Sequence, residues 1–102
     1  MNAKVVHFQF KPGKHQEAAR LFKDYIIPAA KKQKGFKSGL LLIDPNTGKG
    51  MSIALWESEA DIKASESSGF YQEWTAKLAE TLSMPPVREL YEVNNLVNLS
   101  IG

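Results

Sequence analysis

The two histidines are the residues that most directly suggest acid–base or metal chemistry. They are His7 and His15, eight positions apart on two different predicted elements, which is a poor arrangement for a metal site. His15 falls near the start of a predicted helix and should be solvated. His7 falls on a predicted strand, where a hydrogen-bonded interface histidine is more common than a catalytic one. The chain has no cysteine, which excludes thiolate chemistry and cysteine-bound metals. We therefore predict no metal site, and the sequence assigns no catalytic residue.

Two short segments begin like phosphate-binding or RNA-binding motifs and then depart from them. Residues 48–50, Gly-Lys-Gly, lack the first glycine of a P-loop and its following Ser or Thr. Residues 34–36, Lys-Gly-Phe, continue without the stacking aromatics of an RNA-recognition motif. The net charge of +2 is too small to indicate a nucleic-acid or anionic-membrane partner. No apolar run suggests a signal peptide or a membrane span, so we expect neither partner and a cytoplasmic location.

Residues 53–61 are the most informative stretch of the chain. The first half has the pattern of a strand ending in Trp56, and the second half has that of a helix start. Ser58 can accept a hydrogen bond from the backbone N–H of Asp61, in an approximate capping box. Trp56 is therefore predicted at the end of a strand and beside a helix N-terminus. Ligand pockets are common at such a place, and so are ordinary core aromatics.

Hydrophobic periodicity places the elements that surround Trp56. Alternation predicts strands, and recurrence every three or four residues predicts helices. The predicted strands are 5–10, 36–44, 51–56 and 87–93, and the predicted helices are 14–34 and 58–82, the second interrupted at 67–69. Pro28 falls inside the first helix and has no N–H, so it predicts a kink or a restart with Pro28 in a first turn.

The element order β-α-β-β-α-β indicates a ferredoxin-like α+β fold with both helices on one face of a four-stranded antiparallel sheet. The length of 102 residues predicts a single domain over 1–102, with a core at 4–93 and a C-terminal tail at 96–102. The alternation in that tail is compatible with a short strand that contacts a partner. The sheet face without helices should also be apolar, because Leu41 or Leu42 must point there. A bare apolar face of that size is unusual in a monomer, so we predict a homodimer with two sheets packed face to face.

Four short motifs resemble those of one family. They are Lys-Pro-Gly-Lys at 11–14, Gly-Phe at 35–36, Leu-Trp-Glu-Ser at 55–58 and Tyr-Glu-Val at 91–93. Over roughly residues 4–93 the chain resembles the antibiotic-biosynthesis-monooxygenase-like family of dimeric α+β barrels. The resemblance implies a dimer and a ligand site between helices and sheet. Members include cofactor-independent oxygenases of quinols and polycyclic aromatics, haem-degrading enzymes and proteins with no known activity.

The ligand position that the resemblance implies suggests which face of the sheet Trp56 occupies. If Trp56 faces the helices, the pocket is apolar and aromatic, which suits a flat aromatic ligand. The candidate pocket residues are Trp56, Tyr25, Phe8, Phe22, Phe70, Tyr71 and Trp74. The candidate interface residues on the opposite face are His7, Gln9, Ile53 and Leu55. The alternative is that the same rings form an ordinary filled core, since aromatics at strand and helix spacing usually do.

The haem-degrading branch of the family does not fit this chain. That branch has an asparagine on the first strand, a tryptophan ending the third and a histidine on the second helix. The corresponding positions here hold Val6, Trp56 and Trp74, so the iron would lack an axial imidazole. We expect no cofactor. Two functions remain open: an oxygenase of a small aromatic or quinol substrate, with Trp56, Tyr25, Tyr71 and Trp74 shaping its site, or a non-catalytic small-ligand-binding or interaction module of the same fold.

Overall fold

Four antiparallel strands form one sheet in the computed structural model, which describes residues 1–97. The strands are β1 (Asn2–Gln9), β2 (Phe36–Ile43), β3 (Lys49–Trp56) and β4 (Val87–Glu92), in the order β2-β3-β1-β4. This is the ferredoxin-like order, and it confirms the predicted fold class. The predicted tail strand falls mostly on residues 98–102, outside the described residues. The single-domain organisation over 1–102 and the tail's contact with a partner stay predictions.

The helical parts lie on one face of the sheet. They are α1 (His15–Leu21), a π-helical segment (Phe22–Ile26), α2 (Ile27–Ala30), α3 (Glu59–Ser67), α4 (Phe70–Leu78) and a 3-10 turn (Ala79–Thr81). The predicted interruption at 67–69 is confirmed, because α3 ends at Ser67 and α4 begins after Gly69, whose φ is +92°. Within residues 1–97, no helix is both long enough and apolar enough to cross a membrane.

Pro28 accounts for the change of helix type between α1 and α2. Proline has no N–H to donate to the carbonyl four residues back, and its ring would clash there. The chain widens by one residue instead, and the N–H of Ile27 donates to the carbonyl of Phe22, five residues back. Pro28 then lies in the first turn of α2, where proline is tolerated. The predicted restart of the helix is therefore confirmed.

The junction after β3 is fixed by a helix cap and a glycine. Ser58 Oγ accepts a hydrogen bond from the N–H of Asp61 at 3.2 Å, as the capping pattern predicts. The N–H of Glu57 donates to the carbonyl of Gly35 at 2.7 Å, which ties the end of β3 to the start of β2. Gly35 has a φ of +85°, and a Cβ at this position would lie 2.2 Å from Asp61 Oδ2. Position 35 therefore requires glycine. The junction holds Trp56 against the start of α3.

The core lies between the sheet and the helices. Its buried apolar residues are Val6, Phe8, Phe10, Ala18, Phe22, Ile26, Ala30, Trp56, Ile62, Phe70, Trp74, Leu78 and Leu82. We call this side of the sheet the covered face. Leu41 packs against this core, which resolves the choice between Leu41 and Leu42.

The opposite side of the sheet, which we call the open face, carries no helix. Its strand register aligns three rows of side chains across the sheet, and the central row runs through Leu40, Ile53, Val5 and Glu89. The next row runs through Leu42, Met51, His7 and Val87. Leu40, Leu42, Val87 and Tyr91 are each about half exposed. The apolar second face that the sequence predicts is therefore present.

Candidate functional site

A narrow cleft opens between the covered face and the helices. Its cavity volume is about 60 Å³. Four of the seven rings predicted for the pocket line it, namely Phe22, Phe70, Trp74 and Trp56. The π-helical segment and α2 form one wall, with Ile26 and Ala30, and β3 contributes Ser52 on the floor. π-helical turns are frequent at functional sites, and in this protein one of them forms a wall of the cleft.

Trp56 contributes a buried polar group, its indole N–H, to the lining of the cleft. The residue is only 2% exposed, and its ring packs edge to face with Phe36 at a centroid distance of 5.5 Å. Its indole Nε1 is buried and has no hydrogen-bond acceptor among residues 1–97. A buried donor without a partner costs about 1–3 kcal/mol. The indole N–H therefore has no hydrogen-bond partner among residues 1–97, and an acceptor oxygen on a ligand would satisfy it.

The other predicted pocket residues occupy three different positions. Phe8 lies one layer deeper, with ring centroids 6.0 Å from those of Phe22 and Trp74. Tyr71 packs edge to face on Trp74 at 5.3 Å and is partly buried. Tyr25 is 57% exposed and lies outside the cleft, with Lys77 over its ring. In the widened π turn, the position three residues after Phe22 points away from the side that Phe22 occupies.

The residues predicted for the interface all lie on the open face. His7 Nε2 and Glu89 Oε1 are 2.5 Å apart, and Gln9 donates to the carbonyl of Thr47 at 2.8 Å. Ile53 and Leu55 are partly exposed on the same face of β3. A concavity of about 660 Å³ opens there, between β1, β2 and the segment before β4. Contact of these residues with a partner subunit stays a prediction.

The sequence analysis missed a buried lysine at the rim of the cleft. Lys4 is 4% exposed and lines the cleft on the covered face of β1. Its Nζ lies 2.7 Å from Glu66 Oε2 and 3.6 Å from the centroid of the Tyr71 ring. Glu66 is also held by the guanidinium of Arg88, whose Nη2 donates to Oε1 at 2.7 Å. The signal was available, since Lys4 precedes Val6 by two positions and so continues the buried alternation of β1.

Burial perturbs the ionisation of this cluster. The pKa of Lys4 is lowered to about 8, because burial disfavours the ammonium form and the hydrogen bond and charge of Glu66 offset that effect only in part. Burial acts to raise the pKa of Glu66, but the hydrogen bonds from Arg88 and Lys4 outweigh it and leave that pKa lowered. Burial also raises the pKa of Tyr71. A titratable group of the acid–base type therefore borders the cleft.

Two further charged residues near these elements form ion pairs. Lys37 Nζ lies 2.9 Å from Glu57 Oε2, so Glu57 has a cation within its own chain. Arg88 pairs with Glu66. Among residues 1–97, no three His, Asp or Glu side chains are grouped so that they could hold a metal ion. The cleft therefore offers an apolar, aromatic surface with one indole donor and one ammonium group at its rim.

The fold and the cleft define a ferredoxin-like α+β domain with a narrow opening between helices and sheet. The sequence matches the model of the antibiotic biosynthesis monooxygenase family over residues 1–77. The chain belongs to this family, and the match confirms the resemblance read from the sequence. No curated protein sequence is significantly similar to the chain.

Solved structures agree with this assignment. The monooxygenase ActVA-Orf6 of Streptomyces coelicolor, in complex with nanaomycin D, matches with a TM-score of 0.80 at 18% identity, covering 97% of this chain and 92% of its own. SnoaB, a cofactor-independent oxygenase from Streptomyces nogalater, matches with a TM-score of 0.77 at 14% identity, covering 94% and 95%. A protein of unknown function from Nitrosomonas europaea matches with 0.77 at 23% identity, covering 99% and 95%. At these identities the similarity establishes the fold.

Proposed function

We propose that this protein is a cofactor-independent oxygenase of a small aromatic or quinol substrate, bound in the cleft beside Trp56. The observation that carries the proposal is the indole N–H of Trp56, which is buried without an acceptor in an apolar, aromatic cleft. A phenol, quinol or quinone offers both a flat ring for that surface and an oxygen for that donor. The cofactor-independent oxygenase SnoaB and the nanaomycin D complex of the monooxygenase ActVA-Orf6 give the proposal a precedent within the fold.

In the proposed reaction the substrate supplies all the electrons. A ring hydroxyl loses its proton, and the resulting anion gives one electron to dioxygen. The two radicals combine as a peroxide on a ring carbon, and loss of water leaves a carbonyl, so one oxygen atom enters the product and the other leaves as water. The residues of the chain contribute orientation and charge stabilisation: Trp56 donates to the ring oxygen, while Phe70 and Trp74 exclude water.

The test is oxygen uptake with a panel of hydroquinones. The variant Trp56→Phe keeps an aromatic ring and removes only the N–H. Loss of one preorganised donor should lower the rate by about 10²–10³-fold. The matched control is Tyr25→Phe, which removes a hydrogen-bond donor from an exposed ring outside the cleft, and it should leave the rate unchanged. Uptake that is absent in the parent protein, or equal in Trp56→Phe, would refute the oxygenase proposal.

A second candidate function is a non-catalytic small-ligand-binding or interaction module. The observation that favours it is the size of the cleft, because about 60 Å³ is far below the ~300 Å³ and more of an ordinary ligand pocket. A substrate ring would have to move the wall formed by the π-helical segment and α2 outward. A crystal soaked with hydroquinone distinguishes the two, since side chains that still fill the cleft would favour the module.

The homodimer is the partner that we propose for the open face. About half-exposed Leu40, Leu42, Val87 and Tyr91 form an apolar area on a sheet face that lacks helices. Exposed apolar patches of several hundred Å² usually mark an interaction site. A second copy of the same sheet provides a matching surface, with His7, Gln9, Ile53 and Leu55 in the contact. Light scattering at micromolar concentration should give twice the monomer mass, and a monomer would contradict the proposal. The cytoplasmic location stays a prediction.

A further inference from the structure

We propose that Lys4 is the residue that recognises an anion in the cleft, and that the ligand is an aromatic ring carrying an ionised ring oxygen. This inference rests on the proposed function, because it names the substrate form that the same site accepts. It concerns binding, however, and can be tested in the absence of turnover.

The strand register places Lys4 next to the polar atoms of β3. Lys4 lies directly opposite Ala54, and on the same face its diagonal neighbours are Trp56 and Ser52. Directly opposed Cβ atoms are about 5 Å apart and diagonal ones are about 7–8 Å apart. This separation is comparable to the width of one aromatic ring. A single ring could therefore present one oxygen to the Trp56 N–H and another to the Lys4 ammonium.

The charges around Lys4 leave one positive charge without a counter-charge. Lys4 and Arg88 share the single carboxylate of Glu66, and Arg88 occupies both of its oxygens. The groups that face Lys4 are Glu66 from α3, Tyr71 from α4 and Arg88 from β4. Glu59, the next acidic residue near Arg88, is paired with Lys63 at 3.5 Å. The cluster thus carries one excess positive charge at the rim of an apolar cleft.

A bound anion would resolve the cost of this arrangement. Burying an incompletely neutralised ammonium is unfavourable, and the lowered pKa of Lys4 reflects that burial. The ammonium has three N–H donors, while its contacts among residues 1–97 are one Glu66 oxygen and the face of the Tyr71 ring. An ionised ring oxygen supplies both the missing acceptor and the missing negative charge. A neutral ring of the same shape supplies neither.

A matched pair of ligands tests the inference in the unmodified protein. The probes are 2-hydroxy-1,4-naphthoquinone, which is an anion at neutral pH, and its methyl ether, 2-methoxy-1,4-naphthoquinone, which is neutral. Isothermal titration calorimetry at pH 7 should give a Kd about tenfold or more lower for the anion, because a charge-assisted hydrogen bond replaces a neutral contact. The preference should decrease above about pH 9, after Lys4 has lost its proton.

Variants assign the preference to Lys4. Lys4→Met removes the charge and keeps the length of the side chain, and it leaves Glu66 paired with Arg88. It should weaken binding of the anion about tenfold and leave the Kd of the methyl ether within about twofold. Lys4→Arg should retain the preference. The matched control is Lys77→Met, because Lys77 also lies over a tyrosine ring, at 5.1 Å, but is exposed and outside the cleft. It should leave both Kd values unchanged.

The outcomes separate the two proposals. Anion-selective binding that depends on Lys4, without oxygen uptake, would uphold the inference and refute the oxygenase. Equal affinity for both probes in the parent protein would overturn the inference even if oxygen uptake is found. No binding of either probe would overturn the inference, while the oxygenase proposal would still be decided by oxygen uptake. Should Lys4→Met fail to fold, the comparison of the two probes across pH in the parent protein still decides the question.

Discussion

The two faces of the sheet surround a basic side chain of β1 in opposite ways. On the covered face, Lys4 is almost completely buried and its pKa is lowered to about 8. On the open face, His7 and its partner Glu89 are each about 40% exposed, and the carboxylate titrates with a lowered pKa because His7 and Tyr91 donate to it. The ammonium group of Lys4 is buried and loses its hydration, whereas the His7–Glu89 pair stays in contact with solvent.

This difference supports our proposals that the covered face carries a ligand site and that the open face carries a surface for another chain. An apolar pocket that contains an incompletely neutralised ammonium group and an unpaired N–H donor is suited to a small molecule with polar atoms at its edge. A broad apolar face with solvated ion pairs at its side resembles an interface with a polar rim. Four measurements test whether the two faces differ in this way.

The largest difference should come from truncating one apolar side chain on each face. Phe8→Ala removes a ring that contacts Phe10, Phe22 and Trp74, so it should lower the free energy of unfolding by about 3–5 kcal/mol. Leu42→Ala, at a half-exposed position of the open face, should cost below about 1 kcal/mol in a dilute, monomeric sample. Urea unfolding measures both. Equal losses at high dilution would mean that the two faces are equally buried in the monomer.

The second measurement concerns the pH dependence that Lys4 imposes. Its pKa is lower in the folded chain than the ordinary value of 10.5, so between about pH 8 and 10.5 the unfolded chain binds a proton that the folded chain has released. Stability should therefore rise with pH across this window, by up to about 3 kcal/mol, and this contribution is lost as pH falls through 8. The stability of Lys4→Met should lack that rise. Parallel profiles of the parent and the variant from urea unfolding would contradict the burial of Lys4.

The third measurement places a charge on the open face. Leu42→Asp puts a carboxylate in the row that includes Met51 and His7, and it should weaken self-association about tenfold or more. Light scattering over a concentration series gives the dissociation constant. Ala76→Asp, on the exposed side of α4, is the control and should leave association unchanged. An equal mass for both variants at all concentrations would remove the interface from this face.

The smallest effect is expected at the exposed ion pair. Glu89→Gln should leave the unfolding midpoint at pH 7 unchanged within error, since exposed pairs contribute little. The lowered pKa of Glu89 means that whatever stability the pair adds is present above about pH 4.5 and is lost as pH falls. Glu66→Gln is the comparison, because it leaves the cations of Lys4 and Arg88 facing each other and should lower the midpoint clearly. A larger effect at Glu89 than at Glu66 would reverse the assignment of the two faces.

The sequence was sufficient for the fold because each local pattern agreed with the global order. Alternation in β1, the Ser58 cap and the break at Gly69 each specify one boundary, and the structure has all three. The helix around Pro28 was predicted as a kink or a restart, and the restart follows from the missing N–H. Its widening to a π turn was not predicted, because a period of 3.6 residues was applied throughout. The same assumption placed Tyr25 with the pocket residues.

The site was only partly accessible to the sequence. The ligand position implied by the family resemblance put Trp56 on the helix side, periodicity added Phe22, Phe70 and Trp74, and these four side chains line one cleft in the structure. The role of Lys4 could not be predicted in the same way, because it depends on Glu66, a residue 62 positions further along the chain. The unpaired state of the Trp56 N–H is also a three-dimensional property. Chemistry that depends on what is missing around an atom has no signature in residue spacing.

The π turn at Phe22–Ile26 has a consequence for how the cleft could vary among relatives. Such a turn contains one residue more than the α-helical turn that it replaces. Deleting one residue there would restore a regular helix, and the residues on either side would keep nearly the same orientation, because the π turn already absorbs the extra residue. A single-codon deletion would thus change only the side chains of the turn itself that this wall presents to a ligand, while the sheet and the open face keep their positions.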